Sequence, residues 1–358
     1  MTAHFARHFL RTLLPSVAMG LAFLPTAGWA AACPTTSNQP VTVTTQTSAQ
    51  AVNLTAGMIS ERVSVSATSG SDTTVTPTAN VCADSFAGSD ADIGPAAIKT
   101  RNNLWTSASY NGIRRSDLGG DYHGGITNVV VGYDRKLNNW LIAGLAVGYE
   151  NVDIITGFDN GTLKGNSGTI APYVGLVLTD WLVADLAVGY TGIHYDYTKN
   201  FKASKGSNSA DRYFGSTALT ASQRYDRIRL SEQIGYLQLQ ESQGRYAETD
   251  GTNHQDNVIK FGQIHGTISG GYEFRTEDND TSITPTASVR YDYDVISPSS
   301  MLLTTGTYSS RSRSGVVFSL GVEVKTADDI SFGLKGTSTQ FRANTDAFSV
   351  VGNIRYRF

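Results

Sequence analysis

Three histidines stand beside carboxylates in this sequence: His123 near Asp117 and Asp121, His194 near Asp196, and His254 near Asp256. An imidazole next to a carboxylate can activate a water for hydrolysis, and at a membrane rim that is the chemistry of a surface protease. All three lie in sequence with loop composition, where such neighbours arise by chance, and they read as solvated loop residues. A lipase would want a Ser–His pair on the outer surface, but His265 falls on the inner phase of its segment. No Gly-x-Ser-x-Gly elbow sits between a strand and a helix pattern, and no metal-ligand spacing appears. Cys33 and Cys82 are the only cysteines beyond the leader. An exported chain pairs them as a disulfide, which adds roughly 4 kcal/mol on chain-entropy grounds and leaves no thiol for catalysis. The expectation is no enzyme activity, no cofactor and no metal.

The elements that hold these residues announce themselves in composition. Charged side chains make up 16% of the chain, glycines number 36, and Tyr (17) and Phe (14) outnumber Trp (4). That is too polar for a helical membrane protein and low in charge for a cytosolic enzyme. The net charge of −3 offers no basic footprint for nucleic acid. Residues 1–32 read as a cleaved signal peptide: Arg7 and Arg11 open it, "LLPSVAMGLAFLP" is its apolar run, and small residues follow. Pro15 and Pro25 bound a run too short to span a membrane as a helix, and the residues before Cys33 lack the Leu of a lipobox.

Residues 33–100 form a short Thr/Ser-rich segment, and residues 101–358 a different texture. In the first, "PVTVTTQT", "ERVSVSAT" and "TTVTPT" alternate briefly. Between the first two of these, Val52, Ala56, Ile59 and Val63 share one helical face, with Ser48 as a candidate N-cap. The stretch "ADSFAGSDADIGPAAIKT" is linker-like.

From Leu104 onward, segments of about ten residues alternate apolar and polar between turn signals. "WLIAGLAVGY" at 140–149 returns as "WLVADLAVGY" at 181–190, the same hairpin unit in the same phase. Such alternation suits either a soluble sandwich or lipocalin-like barrel, apolar face inward, or a membrane barrel, apolar face outward. Three features favour the membrane. One face repeatedly carries Gly, Ser, Asp, Arg and Glu. Aromatic residues stand at strand ends, with Trp140, Tyr149, Trp181 and Tyr190 as girdle candidates. Short connections near 136–139, 179–180, 224–227, 275–280 and 326–329 alternate with longer ones near 114–123, 155–166, 197–211, 243–258 and 297–314. The fold expected is all-β, an antiparallel up-and-down transmembrane barrel. Its twelve strands fall at 104–113, 124–135, 140–153, 167–178, 181–196, 212–223, 227–242, 260–274, 282–295, 315–325, 329–340 and 347–358. Alternation is poorest in the sixth and seventh, around Glu232.

"LWTSASYNGI", "GGITNVVVGYDRKLNNWLIAGLAVGYE" and the terminal "VVGNIRYRF" resemble the β-domain of type V autotransporters over about residues 100–358. The resemblance implies a barrel in the outer membrane of a Gram-negative bacterium. It also implies periplasmic chaperones and the outer-membrane assembly machinery as partners, outer-membrane lipid as surroundings, and the segment before the first strand threaded through the lumen. Lumen-facing candidates to contact that segment are Asp134, Asp185, Arg229, Arg290, Asp292, Glu323, Lys335, Arg355 and Arg357. Their alternative is to solvate a channel or pair with one another. Phe348, Ile354, Tyr356 and Phe358 would form the C-terminal assembly signal. Autotransporters usually carry a long passenger, whereas residues 33–100 show no β-helix repeat, which leaves a vestigial passenger or a lumen plug. Asn102-Asn103 abuts the first strand without the helical context of family members that cleave themselves. Three functions stay open: a translocator or anchor of residues 33–100, a stand-alone channel or structural barrel, or an adhesin acting through its loops.

Overall fold

The computed structural model describes residues 39–68, 102–116, 120–276, 281–296, 312–326 and 329–358. The signal segment, Cys33, Cys82, Asp117 and most of 297–314 lie outside them. A helix, α1 (Gln39–Thr68), comes first. Then follow β1 (Asn102–Arg115), β2 (Tyr122–Lys136), β3 (Leu141–Thr156), β4 (Gly161–Thr179), β5 (Leu182–Lys199), β6 (Ser204–Tyr225) and β7 (Ile228–Gln243). A small hairpin, β8 (Tyr246–Ala247) with β9 (Asn253–His254), precedes β10 (Asn257–Tyr272) and its continuation β11 (Phe274–Arg275). The chain ends with β12 (Ser282–Ile296), β13 (Ser314–Lys325), β14 (Ile330–Gln340) and β15 (Thr345–Arg357).

Setting aside β8, β9 and β11, twelve strands run antiparallel in chain order, with β10 pairing both β7 and β12. β15 returns to β1 from Asn103↔Arg357 to Arg115↔Thr345, and Asn102 and Phe358 exchange backbone hydrogen bonds at 2.9 Å. The barrel is closed. No strand edge is left to lipid, where unpaired backbone groups are not tolerated. The irregular pair around Glu232 is a continuous β6–β7 hairpin, in which Glu232 lies opposite Ala221.

Between the short turns and the level of Tyr149 and Tyr190 the strands show the expected alternation, apolar side outward. On β3, Leu145, Val147 and Tyr149 are exposed while Ile142, Ala146 and Glu150 are buried inside. On β5, Leu186, Val188 and Tyr190 face out and Asp185 and Ala187 face in. Inside, aromatic rings lie flat against glycines of the neighbouring strand, Trp105 over Gly132 and Tyr173 over Gly144, where a Cβ would overlap the ring.

Two of the longer connections expected from sequence are instead strand. The stretches 155–166 and 197–211 are mostly taken up by β3–β4 and β5–β6, joined only at 157–160 and 200–203. The reason lies in the pattern. Beyond Tyr149 and Tyr190 the alternation persists but the hydrophobic face flips. Val152, Ile154, Leu163, Ile193, Tyr195 and Tyr197 turn inward as one cluster. Asp153, Lys164, Asn166, His194 and Asp196 turn outward. Below this flip the wall is built like a membrane barrel; above it, like a soluble one.

Candidate functional site

The lumen is occupied by α1. Val52, Ala56, Ile59 and Val63 pack with Trp105, Ile142, Tyr173, Phe214 and Leu237 of the wall in one core. Val43 and Ala51 enter the second cluster above the flip. Burial runs almost all round the helix, taking in Thr44, Thr47, Thr55 and Ser60 as well, as a helix enclosed on every side requires. "PVTVTTQT" and "ERVSVSAT" are therefore helix, contrary to their strand-like alternation. β-branched residues disfavour helix only by tenths of a kcal/mol to about 0.7 each, and a helix satisfies its own backbone where the wall offers no free edge to pair with. Thr47 Oγ1 also donates to the carbonyls of Val43 and Thr44, each at 3.0 Å.

Ser48 is not an N-cap, since α1 begins nine residues earlier. Its hydroxyl donates to Glu241 Oε2 at 2.6 Å and accepts from Arg212 Nη2 at 3.1 Å. Arg212 is fully buried between Glu241 (2.9 Å) and Glu150 (3.3 Å). A buried ion cluster is tolerated when its members satisfy one another. This one, with Tyr195, grips the helix at the level of the flip. Further along α1, Asn111 donates to Gln50, Asn128 to Thr55 and Arg290 to Asn53. Ser60 donates to Asp185 at 2.7 Å, Ser64 to Thr220 at 3.2 Å, and Lys335 pairs with Glu61 at 2.6 Å.

Of the nine lumen candidates, Asp185, Arg290 and Lys335 touch the helix. The others engage the wall: Asp134 accepts from Asn103 at 2.7 Å and Tyr173 at 3.2 Å, Asp292 pairs with Arg290, and Arg229 with Glu273 and Glu323. Arg357 pairs with Asp329 at 3.6 Å, and Arg355 is buried beside it. Glu150, Arg212 and Glu241, the cluster that holds Ser48 of the helix, were not among the candidates. Their signal in the sequence is charge inside "GYENV", "ADRYF" and "LQLQES", where the hydrophobic face changes side.

Among the rim residues, Trp140, Tyr149, Trp181 and Tyr190 are all exposed on the outer face. Tyr149 and Tyr190 donate from their hydroxyls to Asn166 and Asp211, polar outward residues above them. Phe348, Ile354, Tyr356 and Phe358 are likewise exposed outward. Of the His–Asp neighbours, two are described in full. His254 binds Glu248 rather than Asp256, whose carboxylate accepts from Arg245 N. His194 and Asp196 stand 3.6 Å apart with both side chains more than half exposed on the outer wall.

A family model described as the autotransporter β-domain matches residues 104–337. The chain belongs to that family. Three solved autotransporter barrels share the fold. The translocator domain of NalP from Neisseria meningitidis aligns at 14% identity, covering 72% of this chain and 88% of that one, with a TM-score of 0.57. The β-domain of the Bordetella autotransporter BrkA aligns at 13% identity, covering 72% and 99%, with a TM-score of 0.60. The transport unit of AIDA-I from Escherichia coli aligns at 12%, covering 71% and 90%, with a TM-score of 0.55. No curated protein matches the chain in sequence.

An autotransporter β-domain is a translocator barrel of the Gram-negative outer membrane. In such barrels the short turns face the periplasm, here on the same side as the start of β1 and the end of β15, and the opposite rim faces out. The flip at Tyr149 and Tyr190 then lies toward that outer rim, with the collar above it.

Proposed function

We propose that this barrel is the translocator and anchor of its own N-terminal segment, held with α1 in the lumen and its N-terminus outward. The observation that carries this is the polarity of the helix. Ser48, near its start, binds Arg212 and Glu241 at the external edge, while Ser60 and Ser64, near its end, bind Asp185 and Thr220 toward the Trp181 rim. A chain drawn outward through the pore stops in this orientation, with what precedes Gln39 delivered outside. The same contacts fill the pore, so residues 39–68 also serve as its plug. No catalytic role is assigned, because the His–Asp neighbours are split or solvated. We further propose that the outward face of Phe348, Ile354, Tyr356 and Phe358 is read by the assembly machinery, that periplasmic chaperones deliver the chain, and that the signal peptide is cleaved.

An epitope tag placed just before Gln39 tests the orientation. Proteinase added to intact cells should remove it, with the barrel left intact. A tag that stays protected until the outer membrane is broken overturns the reading.

A further inference from the structure

The periplasmic end of the lumen carries cations that neither the fold nor the helix contacts employ. Arg355 stands on β15 between Ile354 and Tyr356, both exposed outward, so its own side chain points in, and it is only 3% exposed. Its Nε and Nη1 atoms have no hydrogen-bond partner among the described residues. A guanidinium buried with unmade donors is costly and marks a place where a counter-group belongs. Across the β1–β15 ladder Arg355 lies opposite Trp105. Arg62 of α1, also buried, holds its Cζ 5.9 Å from the centre of the same indole ring.

The nearby carboxylates are already engaged. Asp134 accepts from Asn103 and Tyr173. Glu323 lies 3.7 Å from Arg229 and 3.9 Å from Lys325, and Asp329 lies 3.6 Å from Arg357. Among the described residues neither guanidinium has a carboxylate within ion-pair distance.

We propose that Arg355, opposite Trp105 across the β1–β15 ladder, and Arg62, over the Trp105 ring, form a binding site for a phosphate-type dianion at the periplasmic end of the lumen. Guanidinium groups present paired N–H donors that match the oxygens of phosphate, and two such charges balance a dianion where a single carboxylate would balance one. Both side chains turn toward the lumen rather than to lipid, so the ligand is a soluble periplasmic phosphate and not a headgroup.

The test uses the full barrel folded in detergent micelles, titrated with inorganic phosphate and, at matched ionic strength, with chloride. Trp105 is the inward reporter, since Trp140 and Trp181 lie on the outer face. Phosphate should change the Trp fluorescence saturably and chloride should not. The change should vanish in Trp105→Phe, and the affinity should fall roughly tenfold or more in Arg355→Gln and in Arg62→Gln. Coincident phosphate and chloride curves overturn the proposal, as does a response that survives in Trp105→Phe. If Arg355→Gln fails to give a heat-modifiable barrel, Arg62→Gln decides alone, because that residue lies on the helix and not in the wall. Wild-type affinity in it refutes the site.

Discussion

At Gly175 the wall approaches the helix closely: a Cβ built there would overlap Val63 Cγ1. Nothing in "PYVGLVL" marks that glycine as different from the others in the barrel, because the constraint comes from a residue more than a hundred positions away. Gly175→Leu is expected to push Val63 off its seat, at a cost of about 1–3 kcal/mol for an overpacked core. The reading is a lower unfolding midpoint together with higher single-channel conductance in planar bilayers. Unchanged conductance and stability would show that the helix does not rest there. Ser60 makes the complementary point. Its hydroxyl is the side-chain donor to buried Asp185, so Ser60→Ala leaves that carboxylate without it and should destabilise the fold by about 1–3 kcal/mol. Ser64→Ala, whose partner is the neutral hydroxyl of Thr220, should cost less in the same denaturant titration. Equal costs would remove Asp185 from the account. Asp185 was legible as inward from its phase; its partner was not, because the helical stretch was read only for its apolar face of Val52, Ala56, Ile59 and Val63.

Among the elements, the small hairpin of β8 and β9 folds back over the external rim. Tyr246 stacks between Tyr197, at 5.1 Å, and His254, at 4.4 Å. Glu248 at its bend accepts from Lys199 at 2.6 Å, from Ser204 at 2.9 Å and pairs with His254 at 2.6 Å. Burial alone would raise the Glu248 pKa, but Lys199, Ser204 and His254 together hold it below the ordinary carboxylate range. A carboxyl with a depressed folded pKa contributes stability above its unfolded pKa and loses it as the pH falls through the folded value. The hairpin should therefore stay docked at neutral pH and open in acid, below about pH 4. Hydrogen exchange at Tyr246 and His254 across that range is the measurement. Glu248→Gln should exchange faster already at pH 7, and matching rates in variant and wild type would mean that the carboxylate does not hold the hairpin. The sequence placed a loop here at 243–258 and placed its histidine beside the wrong carboxylate. Neighbours along a chain are a poor guide once a hairpin brings position 248 against 254.

For the whole molecule, closure is the controlling fact. Phe358 and Asn102 seal the seam between the last and first strands, and Tyr356 and Phe358 stack outward at 5.6 Å. Deleting Phe358 is expected to lower the amount of heat-modifiable barrel in the outer membrane, read by shifted mobility on gels of unheated samples. A normal amount of heat-modifiable barrel would count against its role in assembly. The sequence by itself determined the class and the strand count. Side-chain period in a strand is fixed at two, and lipid demands that every backbone group be paired. Tertiary structure alone decided that the helix extends over residues 39–68, how it points, and that β3 to β6 continue past the flip as a collar. Those outcomes depend on what surrounds each residue. A Thr- and Val-rich segment becomes helical because a closed wall leaves it no strand to join, and an alternating strand reverses its apolar face where lipid outside gives way to water and the helix fills the interior.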